Sequence, residues 1–289
     1  MTTMATATDH NRAASSPQAM VELLQSQYKS LDFLGSSLTS REWHAPAAVP
    51  GWSVFDVYAH IIGVESMLEG YELPYVKIDV SKFDHVRNEL GVFNETWIES
   101  LSHLGDDALL DRYRRVTAAR IRTLSAMTDG DFDVEVDSVL GSVPYRRLLR
   151  FRLFDCWMHE QDIREGLGRP GHESGPCARA ALDTAADALG SVVAAEAGGR
   201  PRVVVRLVLT GPIRRRVEVD VVEGHATVTS RVGEDAGTVA DASISMTSSL
   251  FMRLAGGRSA QLSPRLGTID FDGDLDLATR VATNLAITS

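Results

Sequence analysis

The stretch FDCWMHEQDIREGLGRP, residues 154–170, puts an acid, a thiol and an imidazole within five positions and then closes on glycine and proline. Helical spacing of apolar residues begins near 145. Gly166 or Gly168 supplies the stop, and Pro170 prevents continuation. On such a helix Asp155 and His159 are four apart and share a face, with Cβ atoms roughly 5–6 Å from each other. That is a workable bite for a metal ion, provided a further ligand arrives from another helix. If none does, the segment is an ordinary amphipathic helix with polar residues on it.

The bulk numbers narrow the field. A chain of 289 residues with 44% hydrophobic and 24% charged residues is long enough for two modest domains, each with a real core. The formal net charge of −10 argues against a nucleic-acid scaffold, which needs a basic face. No run of 18 apolar residues is present, so no helical span of a bilayer is expected. The opening MTTMATATDHNRAASS lacks the apolar core of a secretory signal and reads as a loose tail over 1–16. Two cysteines, Cys156 and Cys177, build no disulfide framework, which fits a reducing cytoplasm.

Outward from the 145–166 helix, the pattern stays helical from Pro17 to about Gly199. MVELLQSQYKSLDFLGSSL is amphipathic at a period of 3.6. WSVFDVYAHIIGVESML opens on Ser53 as N-cap with Asp56 at N3, an aspartate form of the capping box, and Trp52 is placed to staple onto Val57. Helices are expected at about 83–104 and 106–128, a short alternating piece at FDVEVDSVLGSVPY, and an Ala-rich helix in PCARAALDTAADALGSVVAAEAG. Beyond Gly198–Pro201 the period drops to 2: RVVVRLVLTG, RRRVEVDVVEG, HATVTSRV and TVADASISMT read as strands. SLFMRLAGG and LDLATRVATNLAITS read as short helices on that sheet. The expected fold is α+β: a four-helix bundle over 17–199, then a smaller domain over 200–289 with a mainly antiparallel sheet.

Acid–His pairs at four-residue spacing occur three times, as Asp56–His60, Glu99–His103 and Asp155–His159, among eight histidines. Spacing alone therefore decides nothing, and the ordinary reading of each is a helix-surface ion pair. Context separates them. Glu99–His103 sits in the polar WIESLSHLGDD near a helix end. His60 lies amid Val57, Ile61 and Val64 and points inward; His159 follows Phe154, Trp157 and Met158. Burying two histidines and a carboxylate is costly unless something compensates their desolvation, and a metal ion does so directly. Two neutral imidazoles and one carboxylate are what a catalytic zinc takes, with a position left open. Asp56 is occupied as a cap, which leaves Asp155 as the acid. A di-iron bundle would need two Glu-x-x-His motifs, and no histidine here has an acid three residues before it. Cys156, about 60° from His159 around the helix, offers a Cys–His nucleophilic reading, but a lone thiol beside Trp157 is more often a small core residue. The Arg214–Arg216 cluster reads as a solvated strand face, with an anionic ligand as the less ordinary alternative.

GWSVFDVYAHIIGVE resembles the Gly-Trp-Ser…His segment of the mycothiol-dependent maleylpyruvate isomerase family, and FRLFDCWMHEQDIREGLGRP resembles its acid-x-Trp-x-His hallmark. The ending FDGDLDLATRVATNLAIT resembles that of the sterol-carrier-protein-like domain that often follows. The resemblance implies a DinB-like bundle that binds a divalent metal, usually zinc, through His60, Asp155 and His159. Asp162 and Arg164 would then support the ligands from outside or finish the helix. One departure stands out: the family pattern carries Glu where this chain has Asp155, one methylene shorter.

The expected function is a zinc-dependent enzyme that uses a low-molecular-weight thiol, mycothiol, either for S-transfer to an electrophilic small molecule or as cofactor in cis–trans isomerisation. A thiol of pKa near 8.5 is mostly protonated at neutral pH, and coordination removes that proton. Addition of the thiol to a conjugated cis double bond permits rotation, and elimination returns it. Two alternatives stay open: a metal-dependent hydrolase on the same site, with water in the open position, and a non-catalytic carrier of a small apolar ligand with a structural metal. The expected partners are small molecules, with no nucleic acid or membrane, and the protein is expected to be a monomer or homodimer.

Overall fold

A computed structural model describes residues 16–138, 141–232, 239–258 and 268–287, and the expected tail lies outside these except for Ser16. The chain divides into two compact units, Met1–Gly171 and His172–Ser289.

Four long helices form the first unit's bundle: α1 (Pro17–Ser36), α3 (Val54–Leu68), α5 (Asp106–Ala126) and α6 (Tyr145–Gly166). They close a ring in which α1 packs on α5, α5 on α3, α3 on α6 and α6 on α1. A short helix α2 (Ser40–Trp43) leads into α3, and α4 (Glu89–Leu101) packs on α3 from outside the ring. The alternating piece folds as a hairpin, β1 (Glu135–Ser138) against β2 (Gly141–Pro144).

The character of α3 sets the bundle. Val54, Phe55, Val57, Tyr58, Ala59, Ile61, Ile62 and Val64 are all buried, so the helix is wrapped on every side rather than along one stripe. Each such large side chain contributes roughly 1.5–3 kcal/mol on burial. Gly63 permits the approach of α4: a Cβ there would lie 2.5 Å from Trp97 Cγ. The capping box is formed as expected, with Asp56 Oδ2 accepting from the Ser53 N–H at 2.8 Å and the Ser53 hydroxyl accepting from the Asp56 N–H at 3.2 Å. The indole N–H of Trp52, the residue expected to staple onto Val57, donates to Glu95 Oε1 at 2.8 Å.

The second unit begins earlier than the period change suggests. Helix α7 (Pro176–Glu196) packs on the sheet strands, which places it with the C-terminal unit, so the division falls at 171/172 rather than at 199/200. Its buried residues combine Leu182, Leu189 and Val193 with the small Ala178, Ala181, Ala185, Ala186 and Gly190, and a Cβ on Gly190 would sit 3.2 Å from Ala226 and Val228. Local periodicity marks this segment as a helix but carries no information on which neighbour covers it.

Strands β3 (Arg202–Thr210), β4 (Arg215–Val222), β5 (His225–Arg231), β6 (Ala242–Thr247) and β7 (Asp270–Gly273) form one sheet in the order β5-β4-β3-β6-β7. All neighbours are antiparallel except β3 and β6. Register pairs Val205 with Val219 and Leu207 with Val217, so the period-2 apolar residues share the covered face. Helices α8 (Ser248–Ala255) and α9 (Leu275–Thr283) pack on strands of this sheet and on α7. The unit is the small α+β domain expected from the sequence. Of the arginine cluster, only Arg214 is exposed as a solvated face requires; Arg215 is largely covered and pairs with Asp183 of α7 at 3.2 Å, and Arg216, also largely covered, lies 3.8 Å from Glu218.

Candidate metal centre

His60 is buried on α3, and Asp155 and His159 lie one turn apart on α6, the helix that packs beside it. One ligand atom from each falls within 4.8 Å of the others. His60 Nε2 is 3.6 Å from Asp155 Oδ2, and His159 Nε2 is 3.5 Å from Asp155 Oδ1. These spacings are too long for hydrogen bonds between the groups. They are the spacings of donors that face a common point. Both ring nitrogens of His60 are buried without a hydrogen-bond partner. A buried imidazole with both nitrogens unmatched is unusual, and a cation in this space would satisfy one of them.

The surroundings bias all three groups. Burial pushes the His60 imidazole below its usual pKa, despite the opposing carboxylate of Asp155. Burial also works against the charge on Asp155, yet nearby His159 and Arg152 outweigh it and hold the carboxyl well below the ordinary range. Neutral imidazole and ionised carboxylate are the forms that bind metals. His159 Nδ1 lies 3.2 Å from Asp162 Oδ2, a carboxylate with no exposed surface. The pair lies outside hydrogen-bond geometry, so its attraction is electrostatic; with the proton on Nδ1, the Nε2 lone pair faces Asp155.

The indole of Trp52 lies along one side of the pair of imidazoles, with ring centroids 5.1 Å from His60 and 5.9 Å from His159; the two imidazoles are 4.8 Å apart. Glu95, whose Oε1 holds the Trp52 N–H, also meets His85 Nε2 at 2.8 Å. Arg152 donates to Asp155 Oδ2 at 2.6 Å.

The residues predicted from sequence thus fall in different places. His60, Asp155 and His159 are brought together, and Asp162 stands behind His159. Arg164 does not join them: it sits in the last turn of α6 and pairs with Glu160 at 2.8 Å, so it takes the helix-end role. Asp56 is held in the cap, and Glu99 and His103 are exposed near the end of α4. Cys156 is fully buried, with burial raising its thiol pKa, and serves as a core residue rather than a nucleophile. Sequence reasoning missed Arg152, Glu65, Trp52 and Glu95. Glu65 within the apolar run HIIGVESML was the available signal, since a carboxylate there requires a buried partner.

Fold and site define a class: a four-helix bundle that buries a histidine, carboxylate, histidine donor set, continued by a small α+β unit. Residues 24–164, most of the N-terminal unit, match the family described as the mycothiol maleylpyruvate isomerase N-terminal domain. Among solved structures, the chain is similar to a histidine-to-alanine variant of the mycothiol-dependent maleylpyruvate isomerase. That likeness has 16% identity and a TM-score of 0.53, and covers 89% of this chain and 92% of the other. The mycothiol-dependent maleylpyruvate isomerase itself matches at 17% identity and a TM-score of 0.51, over 84% of this chain and 89% of the other. At these identities the likeness establishes fold. Curated protein sequences give no match.

Proposed function

We propose that the protein is a mycothiol-dependent enzyme of the maleylpyruvate isomerase kind, with a divalent cation, zinc, held by His60, Asp155 and His159. The observation that carries this reading is the buried donor set itself, in which both nitrogens of His60 lack a partner and three ligand atoms lie within 4.8 Å. The match of residues 24–164 to the family, and the similarity to an isomerase that depends on mycothiol, support the choice of thiol and reaction.

A cation bound there would supply Lewis acidity that lowers the pKa of an incoming thiol. The chain's own residues do the rest. Two neutral imidazoles and one carboxylate leave a divalent site with a formal charge of +1, matched to one anionic sulfur. Asp162, 3.2 Å from His159 Nδ1, electrostatically favours the ring orientation in which Nε2 faces the centre. Trp52, tethered through its N–H to Glu95, walls one side and keeps water from the sulfur and its electrophile. Cys156 is too buried to compete as nucleophile, which leaves the reacting sulfur to the cosubstrate.

Isomerisation is favoured over S-transfer because the similar enzymes are isomerases. The net charge of −10 supports small-molecule rather than nucleic-acid partners. No helix among the described residues is long and apolar enough to cross a membrane, and with two free cysteines we assign the protein to the cytoplasm, as a monomer or homodimer. The test is cis–trans isomerisation of maleylpyruvate by zinc-loaded protein, with and without mycothiol. Turnover that requires the thiol and is lost in His60→Ala and His159→Ala is expected. Thiol-independent hydrolysis by the same protein would shift the assignment to a hydrolase.

A further inference from the structure

Arg152 stands one turn before Asp155 on α6 and is 5% exposed. Its guanidinium bridges two helices. Nη1 donates to Asp155 Oδ2 at 2.6 Å, while Nε and Nη2 donate to Glu65 Oε1 at 3.2 and 2.8 Å. Glu65 lies on α3, the helix that carries His60, and its other oxygen is 3.4 Å from Arg120 Nε on α5. Arg120 in turn reaches Glu69 Oε1 at 3.3 Å, and also meets the Tyr145 hydroxyl. Charges thus alternate along Asp155, Arg152, Glu65, Arg120 and Glu69, through three of the four bundle helices.

We propose that Arg152 is a positioning residue for the metal centre: it engages Asp155 Oδ2 and leaves Oδ1, the oxygen facing His159 Nε2, as the ligand atom. The inference rests on the metal reading above. A free aspartate can turn either oxygen, or both, toward a cation. Here one oxygen is held by a charge-assisted bond, and the donor is itself fixed from the neighbouring helix. A planar guanidinium presents its donors in a rigid fork that serves acceptors on two helices in fixed directions; an ammonium is a compact point charge whose rotatable donors fix no such orientation. The arrangement also ties the helix of His60 to the helix of Asp155 and His159, so one side chain sets both the exposed oxygen and the spacing of the donors. Arg152 touches neither substrate nor cation.

The test uses full-length protein stripped with chelator and titrated with cobalt(II), with affinity from chelator competition, for wild type, Arg152→Lys, Glu65→Gln and the double variant. Circular dichroism and urea midpoints report folding separately. In a folded Arg152→Lys we expect cobalt binding weakened by about 10- to 100-fold, as loss of an outer partner of a ligand does. The visible band should change as the second carboxylate oxygen becomes free to bind. Glu65→Gln should weaken binding in the same direction, and the double variant should be no weaker than Arg152→Lys alone, because both act through one guanidinium. A folded Arg152→Lys with unchanged affinity and spectrum overturns the proposal while leaving the metal site intact. If that variant does not fold, Glu65→Gln decides alone, and unchanged affinity and spectrum in it overturn the proposal. Wild-type protein that takes up no cobalt overturns the metal reading and this proposal together.

Discussion

His159 is asked to do two things, and its two nitrogens divide them. Nε2 faces Asp155 at 3.5 Å and Nδ1 faces Asp162 at 3.2 Å. Replacement of Asp162 by Asn removes the anionic partner without changing size. Chelator competition should then show metal bound about 10–100-fold more weakly in a folded protein; equal affinity would remove Asp162 from the account. His60 makes a second prediction, for the metal-free protein. Burial holds its imidazole below the ordinary 6.5, so the unfolded chain takes up a proton that the folded chain refuses. The unfolded state then binds more protons, and stability falls as pH drops below about 6.5. Asp155 acts with the same sign at lower pH. With its carboxyl held well below 3.8 by His159 and Arg152 despite burial, its contribution is full above that value and is lost as pH falls further. The urea midpoint at pH 5.5 should lie below that at pH 7.5, by less in His60→Gln than in wild type. Equal differences in the two proteins would show that His60 is not the group involved.

Most elements follow from local chemistry. Ser53 and Asp56 announce the start of α3, and Gly168, left-handed just past the last turn, marks with Pro170 the end of α6, because capping involves only residues within a turn or two. The donor set was legible for a related reason: a histidine in the middle of an apolar helix has nowhere to go but inward. Arg152 and Glu65 were not legible as a pair, because 87 positions separate them and only the packing of α3 on α6 brings them together. The same limit hid the contact of α3 with α4. Gly63→Ala tests it, since its new methyl would meet Trp97 at 2.5 Å. Overpacking of this kind costs about 1–3 kcal/mol, read from urea unfolding. The change falls three residues from His60, so a weaker metal site should accompany the lost stability. A neutral Gly63→Ala would contradict the close packing described.

At the level of the whole chain, the change of hydrophobic period at Gly198–Pro201 predicts a domain boundary there, but period reports secondary structure and not packing partners. Helix α7 lies before that point and covers strands that lie after it. A fragment of residues 172–289 should therefore fold cooperatively by circular dichroism and urea, whereas 200–289, stripped of α7, should expose the apolar sheet face and aggregate. If 200–289 folds as well as 172–289, the division at 171/172 is wrong.

Convergence of α3 and α6 on one divalent cation can be read from metal analysis of the purified protein beside His60→Ala and His159→Ala. One zinc per wild-type chain is expected, with that zinc lost from both folded variants. Unchanged zinc content in the two variants would rule out the His60–Asp155–His159 centre.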